Sequence, residues 1–140
     1  MRIRDMGSER QLDEVVIIDD DQDVCEALVS FVAADGYRPT SFRTGQDALQ
    51  HVREVLPALI LVDATMPDFD GWQFLEAFGR IPCADTVQVI LMSADTRLDE
   101  ARARALGACG ILRKPFDVAK LSRVIQAAGG SRGQMVTLEA

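Results

Sequence analysis

Apolar runs alternate along the chain with amphipathic stretches, and this alternation is repeated five times. Residues 15–18 form a β-branched run that ends at Asp19, and residues 59–62 form an apolar run that ends at Asp63. Continuous runs of this kind predict strands that are buried on both faces of a parallel sheet. The predicted strands are residues 15–18, 37–42, 59–62, 87–92 and 110–113.

The stretches between these runs have the apolar spacing of helices. Thr44 predicts the N-cap of the second helix, and Thr96 followed by Asp99 predicts a capping box for the fourth. Gly36 and Gly107 are typical of residues that follow a helix end. The helical faces are Val24, Leu28, Phe31 and Val32; Ala48, Val52 and Val55; Phe74, Leu75 and Phe78; Leu98, Ala101 and Ala105; and Val118, Leu121, Val124 and Ile125.

This order of strand and helix predicts an α/β fold. We expect a five-stranded parallel sheet of order 2-1-3-4-5 with helices on both faces, which is a (βα)5 flavodoxin-like arrangement. The 140 residues fit one domain, which we assign to residues 14–128. Residues 1–13 are charged without periodicity and predict a flexible N-terminal extension. Residues 129–140 begin with Gly-Gly-Ser-Arg-Gly and predict a flexible C-terminal tail.

The charge and the cysteines narrow the function classes. The net charge of −7 argues against direct binding of nucleic acid, which requires a basic surface. No apolar run reaches the length of a membrane span, so no contact with a membrane is expected. The three cysteines have no metal-binding spacing, and the N-terminus has no secretory signal pattern. These features predict a cytoplasmic protein with reduced thiols.

Polar residues that carry chemistry stand at the ends of four predicted strands. Asp19 and Asp20 end the first strand, Asp63 ends the third, Ser93 ends the fourth, and Lys114 follows the fifth. In an open parallel sheet, ligands bind beyond the carboxyl ends of the strands, where the strand order reverses. The predicted topology therefore brings three carboxylates, a hydroxyl and an ammonium group into one crevice.

Three neighbouring carboxylates repel one another unless a cation neutralises them. Ligands that offer only oxygen, with no His or Cys nearby, suit Mg²⁺ or alternatively Mn²⁺. A carboxylate can also attack phosphorus and form an acyl phosphate. The oxygens of the transferred phosphoryl group would then be stabilised by the metal, by Lys114 and by Ser93. The Gly and Glu spacing of a calcium-binding EF-hand is absent after Asp19.

Four groups of motifs follow one another along the chain. They are residues 15–21 (VVIIDDD); residues 59–63 (LILVD) with 66–67 (MP) and 70–71 (DG); residues 91–94 (LMSA); and residues 114–116 (KPF). With these motifs the sequence resembles the receiver (REC) domain of two-component response regulators, of the chemotaxis-receiver type. The resemblance covers about residues 14–128.

The resemblance implies a role for each matching position. It implies that Asp63 is the phosphoacceptor, that Asp20 binds Mg²⁺ directly, and that Asp19 acts through metal-bound water. The backbone carbonyl of Thr65 is implied as a further metal ligand, together with Asp63. Lys114 is implied to bind the phosphoryl group. The peptide bond between Lys114 and Pro115 is commonly cis in this family.

The resemblance also implies partners and a switch. The phosphate would come from a phosphohistidine on a sensor histidine kinase or a His-phosphotransfer protein, and an unknown downstream protein would be the target. The chain would not be an enzyme in the usual sense, because it would catalyse only its own phosphorylation and dephosphorylation. Ser93 is implied as the switch hydroxyl. Receivers usually carry Tyr or Phe three residues before the lysine, and Ile111 stands there instead.

Two alternatives to a stand-alone receiver remain open from the sequence. The chain would alternatively be the receiver fragment of a longer DNA-binding response regulator, with the Gly-rich tail as the start of a linker. A more remote alternative is a small phosphatase with Asp19 as nucleophile and Asp21 as acid and base, although Gln22 departs from that pattern. His51, among polar neighbours, is predicted to be a surface residue.

Overall fold

The computed structural model describes residues 9–130 and 136–138. Strands and helices alternate from β1 to α5, and a further strand follows α5. The elements are β1 (Glu9–Ile18), α1 (Gln22–Ala34), β2 (Arg38–Phe42), α2 (Gly45–Glu54), β3 (Val55–Asp63), α3 (Gly71–Phe78), β4 (Gln88–Ser93), α4 (Glu100–Ala105), β5 (Gly110–Arg113), α5 (Val118–Gly130) and β6 (Val136–Leu138). A short 3-10 turn, Ala84–Thr86, precedes β4.

All strand pairs in the sheet are parallel, and the predicted order 2-1-3-4-5 is confirmed. Ile18 lies opposite Val62, and Asp63 lies opposite Met92. The carboxyl ends of β1, β3 and β4 are therefore nearly level with one another. Because β2 lies on the other side of β1, the strand order reverses between β1 and β3, and the loops that follow these two strands form the edges of a crevice.

The central strands are buried on both faces, as their continuous apolar runs predict. Along β1, Val16 and Ile18 face a core shared with α2, α3 and α4, whereas Val15 and Ile17 face a core shared with α1 and α5. The strands β3 and β4 alternate in the same way. No helix in the described residues is long and apolar enough to cross a membrane. None of the three cysteines forms a disulfide.

Two differences from the prediction lie at the chain ends. The predicted extension 1–13 contains the start of β1, because Glu9–Gln11 pair with Val55–Pro57 of β3. The pairing shifts register between Gln11 and Val15, and the charged sequence of residues 9–14 has no apolar alternation that would predict a strand. The predicted tail 129–140 contains the end of α5 and the sixth strand, β6, which pairs with β5. The rest of both segments lies outside the described residues.

Of the two predicted helix caps, one is confirmed and the other is wrong. Thr44 caps α2, but Val55, predicted on its apolar face, is the first residue of β3. The capping box predicted at Thr96 is wrong, because Asp99 itself is the N-cap of α4 and accepts a hydrogen bond from the Arg102 N–H. Aspartate is as good an N-cap as threonine. Because Asp99 lies three residues after Thr96, α4 starts later and is shorter than the predicted helix.

The prediction that His51 is a surface residue is only partly correct. Its side chain is 29% exposed, and its Nε2 lies 2.8 Å from Oε2 of the buried Glu14. The same carboxylate oxygen accepts a hydrogen bond of 2.7 Å from the Thr40 hydroxyl. A buried carboxylate requires such partners, so α2 is held against β1 and β2 at this point.

Candidate functional site

Three aspartates meet at the carboxyl edge of the sheet, as the sequence predicts. Asp19, Asp20 and Asp63 each offer a carboxylate oxygen, and these oxygens lie within 4.8 Å of one another. Asp19 is fully buried, Asp63 is 6% exposed and Asp20 is exposed to solvent. The pairing of β1 with β3 brings them together, because both strands end at the same level of the sheet. The crevice is therefore open on the side of Asp20.

Lys114 supplies the positive charge of this cluster. Its Nζ donates a hydrogen bond of 2.7 Å to Oδ2 of Asp19 and lies 3.2 Å from Oδ1 of Asp63. The ammonium group reaches this position from the loop after β5, where the Lys114 N–H donates to the Ser93 carbonyl at 2.8 Å. The Lys114–Pro115 peptide bond is cis, as expected. One ammonium group thus bridges two of the three carboxylates.

Burial and neighbouring charges determine the electrostatics of the site. Burial, and then the charge of Asp19, raise the pKa of Asp63 from its ordinary value of 3.8 to about 6, and Lys114 only partly opposes this. Burial by itself would lower the pKa of Lys114, but its hydrogen bond to Asp19 and the two carboxylate charges raise it. The ammonium group therefore stays protonated, but it offsets only one of the three carboxylate charges, so two negative charges are left without a partner when all three aspartates are ionised.

The donor set fits a hard divalent cation. The three clustered side chains offer only carboxylate oxygens, and His51, the only histidine of the chain, is bound to Glu14 instead. Mg²⁺ is commonly bound by one or two carboxylates and several waters, which the exposed side at Asp20 allows. Thr65 lies in the exposed loop after β3, and its carbonyl as a metal ligand stays a prediction.

Ser93 lies at the end of β4, in the strand next to β3. The residue is buried, and its Oγ accepts a hydrogen bond of 3.0 Å from the Asp95 N–H. The hydroxyl proton is not used by this bond, since the oxygen is the acceptor. Ile111 is fully buried in the core shared with α2, α3 and α4. It fills the position of the aromatic residue that the resemblance implies.

Gly71 shapes the site in a way that the motif at residues 70–71 does not reveal. Asp70 caps α3, and Gly71 is the first residue of that helix. A Cβ atom at Gly71 would lie 2.8 Å from Cα of Ala64 and closer still to the carbonyl oxygen of Asp63. The N–H of Gly71 donates to the Ala64 carbonyl at 3.1 Å. The start of α3 therefore packs against the backbone of the candidate nucleophile, and only glycine leaves enough space.

Known proteins are similar to this chain in sequence and in fold. Residues 15–126 match the family described as the response regulator receiver domain. The chain is 29% identical over 128 residues to the transcriptional regulatory protein PcoR of Escherichia coli, covering 91% of this chain and 56% of PcoR. It is 30% identical over 115 residues to an uncharacterized 14.6 kDa protein of Leptolyngbya boryana, covering 81% and 87%.

A solved structure agrees with the architecture. The chemotaxis protein CheY4 of Vibrio cholerae superposes with a TM-score of 0.79 at 22% identity, covering 84% of this chain and 99% of that one. At this identity the likeness shows a common fold alone. This chain spans about half the length of PcoR, so what PcoR does as a whole protein does not transfer with the match.

Proposed function

Since the chain belongs to the response regulator receiver domain family, we propose that Asp63 accepts a phosphoryl group from a phosphohistidine and thereby switches protein–protein interactions. The observation that carries the proposal is the geometry around Asp63. Its carboxylate is buried beside two other aspartates and lies 3.2 Å from Nζ of Lys114. The family is one of phosphoacceptor switches, and a catalytic role beyond the chain's own phosphorylation is not part of the proposal.

Magnesium belongs to the proposal as the resident ion. Asp20 and Asp63 would bind it directly, Asp19 would act through a water, and the carbonyl of Thr65 would complete the protein ligands. When bound, Mg²⁺ would neutralise the carboxylates and withdraw charge from a phosphoryl oxygen. Mn²⁺ prefers similar ligands and is the alternative. The exposed side of Asp20 leaves room for the waters that such an ion keeps.

The side chains of this chain would then carry out the transfer. A carboxylate oxygen of Asp63 attacks phosphorus, the new P–O bond forms, and the P–N bond to the donor imidazole breaks. Lys114, already 3.2 Å from Asp63, needs only a small movement to pair with a phosphoryl oxygen. The Ser93 hydroxyl donates its free proton to another oxygen. Burial of Asp63 limits access of water and slows hydrolysis of the product.

A groove beside Lys114 provides a surface on which a donor protein can dock. It has a volume of about 490 Å³ and lies between α1 and the loop after β5. Its lining is mostly apolar and includes Val24, Ala27, Pro115 and Phe116, with Lys114 at one end. A sensor histidine kinase or His-phosphotransfer protein that packs an apolar helix here would present its phosphohistidine to Asp63. A cytoplasmic location is part of the same proposal, as is the absence of direct nucleic-acid or membrane contact.

The share of each relative that this chain matches supports a second candidate function. PcoR is a transcriptional regulator of which this chain matches 56%, whereas the Leptolyngbya boryana protein is matched over 87% of its length. A receiver that forms part of a longer DNA-binding regulator is therefore proposed beside the stand-alone receiver. Both use the same site, and the downstream target stays unknown.

A phosphatase with Asp19 as nucleophile is disfavoured by the contacts of two side chains. Asp19 is fully buried and hydrogen-bonded to Lys114, so its oxygens are not exposed to a substrate. The Asp21 side chain accepts hydrogen bonds from the Asp23 and Val24 N–H groups and caps α1. A carboxylate used in this way is poorly placed to act as acid and base.

The proposal is tested by mapping the modified residue. The chain is incubated with Mg²⁺ and acetyl phosphate, and the phosphorylated peptide is identified by mass spectrometry after reductive trapping. Label at Asp63, lost in Asp63→Asn and retained in the exposed loop variant Asp68→Asn, is the expected result. Label at Asp19, or label retained by Asp63→Asn, would overturn the assignment.

A further inference from the structure

Arg113 is a buried arginine at the carboxyl end of β5. The residue is 7% exposed and lies directly opposite Ser93 in the pairing of β4 with β5. Its Nη1 donates a hydrogen bond of 2.6 Å to the Asp95 carbonyl, and its Nη2 lies 3.5 Å from Oε1 of Glu100. Its Nε is buried and has no hydrogen-bond partner among the described residues. A buried guanidinium with few partners is costly unless the contacts it does make are maintained.

The contact of Arg113 with the Asp95 carbonyl connects it to Ser93 and so to the phosphoryl site. The peptide groups on both sides of Asp95 are held, because its N–H donates to Ser93 Oγ at 3.0 Å and its carbonyl accepts from Arg113. The Asp95 side chain also accepts from the Arg97 N–H at 2.9 Å, which makes the loop compact. A movement of Ser93 toward a phosphoryl oxygen therefore displaces an acceptor of Arg113.

The second contact leads to α4. Glu100 is the first residue of that helix and follows its N-cap, Asp99. Arg113 thus contacts the loop after β4 through Asp95 and the start of α4 through Glu100. Ile111, two residues earlier in β5, is fully buried and carries no polar atom that could make either contact.

We propose that Arg113 couples the position of Ser93 to the position of α4. The inference rests on the proposed function, because it requires a phosphoryl group at Asp63 to move Ser93. When the Asp95 carbonyl moves, the guanidinium moves with it or shifts toward Glu100, since losing a partner would leave a buried charge unpaired. Arg113 is a positioning residue that acts through the loop and contacts no reacting atom. The coupling changes the surface that α4 presents to a downstream protein.

The test separates binding at Asp63 from the response of α4. Beryllofluoride with Mg²⁺ serves as the phosphoryl mimic, and its affinity is measured by titration for the whole chain. Amide hydrogen exchange of α4 residues 100–105 is then followed with and without the mimic. In the wild type we expect α4 exchange to change by about fivefold or more on binding.

Arg113→Met retains the length of the side chain and removes the charge. We expect it to bind beryllofluoride at a similar concentration, while the change in α4 exchange falls below about twofold. Arg113→Lys retains the charge and should restore part of the response. Arg104→Met removes an exposed arginine of α4 and should behave as the wild type. Glu100→Gln weakens only the second contact and should reduce the response, which keeps the inference testable if Arg113→Met fails to fold.

Different outcomes overturn different statements. A wild-type α4 response in Arg113→Met, or in Glu100→Gln where that variant alone folds, would refute the coupling. Loss of beryllofluoride binding in Arg113→Met would also refute it, because Arg113 would then belong to the phosphoryl site. Failure of the wild-type chain to bind beryllofluoride would instead overturn the proposed function, and the coupling with it.

Discussion

Replacing Asp63 by asparagine in the metal-free protein should increase the free energy of unfolding, and the increase should grow with pH. Burial and the charge of Asp19 raise the pKa of Asp63 from 3.8 to about 6 in the folded state. The ionised carboxylate is therefore less stable in the folded than in the unfolded chain. Asparagine has nearly the same shape as the neutral acid and does not incur this penalty.

The size of the effect follows from the shift. Each pKa unit corresponds to 1.36 kcal/mol, so a shift from 3.8 to about 6 destabilises the folded wild type by about 3 kcal/mol at about pH 8. Between the two pKa values the folded chain binds more protons than the unfolded chain, so wild-type stability falls as pH rises. At about pH 4.5 most of the folded protein has a neutral Asp63, and the penalty is about 1 kcal/mol.

Chemical denaturation in EDTA at both pH values measures this difference. Asp20→Asn is the matched control, because it removes an exposed carboxylate from the same cluster and should give a much smaller gain. Adding Mg²⁺ should narrow the gap between wild type and Asp63→Asn, since a bound cation stabilises the ionised form. An equal gain at both pH values, or a loss of stability in Asp63→Asn, would show that the burial argument is wrong.

Three further changes test other parts of the site. Lys114→Met should lower the rate of labelling by acetyl phosphate about 10- to 1000-fold without changing the labelled residue, measured by mass spectrometry, because one phosphoryl oxygen loses its charged partner. Gly71→Ala should destabilise the fold by about 1–3 kcal/mol in thermal unfolding, since its Cβ meets the backbone of β3, whereas Gly79→Ala at a helix end should be nearly neutral. Ala27→Glu in the groove should block phosphoryl transfer from a phosphohistidine protein but not labelling by acetyl phosphate. The control is Ala33→Glu at an exposed position of the same helix. Equal transfer to both variants would refute the docking role of the groove.

The fold was predictable because its central strands are buried on both faces. A strand in that position needs an unbroken apolar run, and the residues that end those runs must lie at one edge of the sheet. Asp19, Asp63 and Ser93 follow directly from this rule. The two chain ends were not predictable in the same way, because β6 is a three-residue edge strand and the early part of β1 has a shifted register.

Other features depend on contacts that no local pattern contains. Arg113 is the last residue of β5 and would ordinarily be expected in solvent, but β4, its loop and α4 surround it. Glu14 is similarly buried because His51 and Thr40 come from elements 37 and 26 residues away in sequence. Gly71 belongs to a motif of the sequence, but its close approach to the backbone of Asp63 arises only when α3 packs against the end of β3. Pairings across such distances require the folded structure.

Because Gly71 packs against the backbone of Asp63, the residue that follows it can serve as an intrinsic fluorescence probe of the site. Trp72, the only tryptophan of the chain, is the next residue, so its indole is attached to the peptide that packs on Asp63. The ring is half-buried, and the guanidinium of Arg102 lies 4.3 Å from its centre. Indole emission is sensitive to nearby charge and solvent. Binding of a cation or phosphorylation at the carboxylates should therefore change the fluorescence of the unlabelled protein. Rapid-mixing fluorescence can then time ion and phosphodonor arrival without attaching a dye.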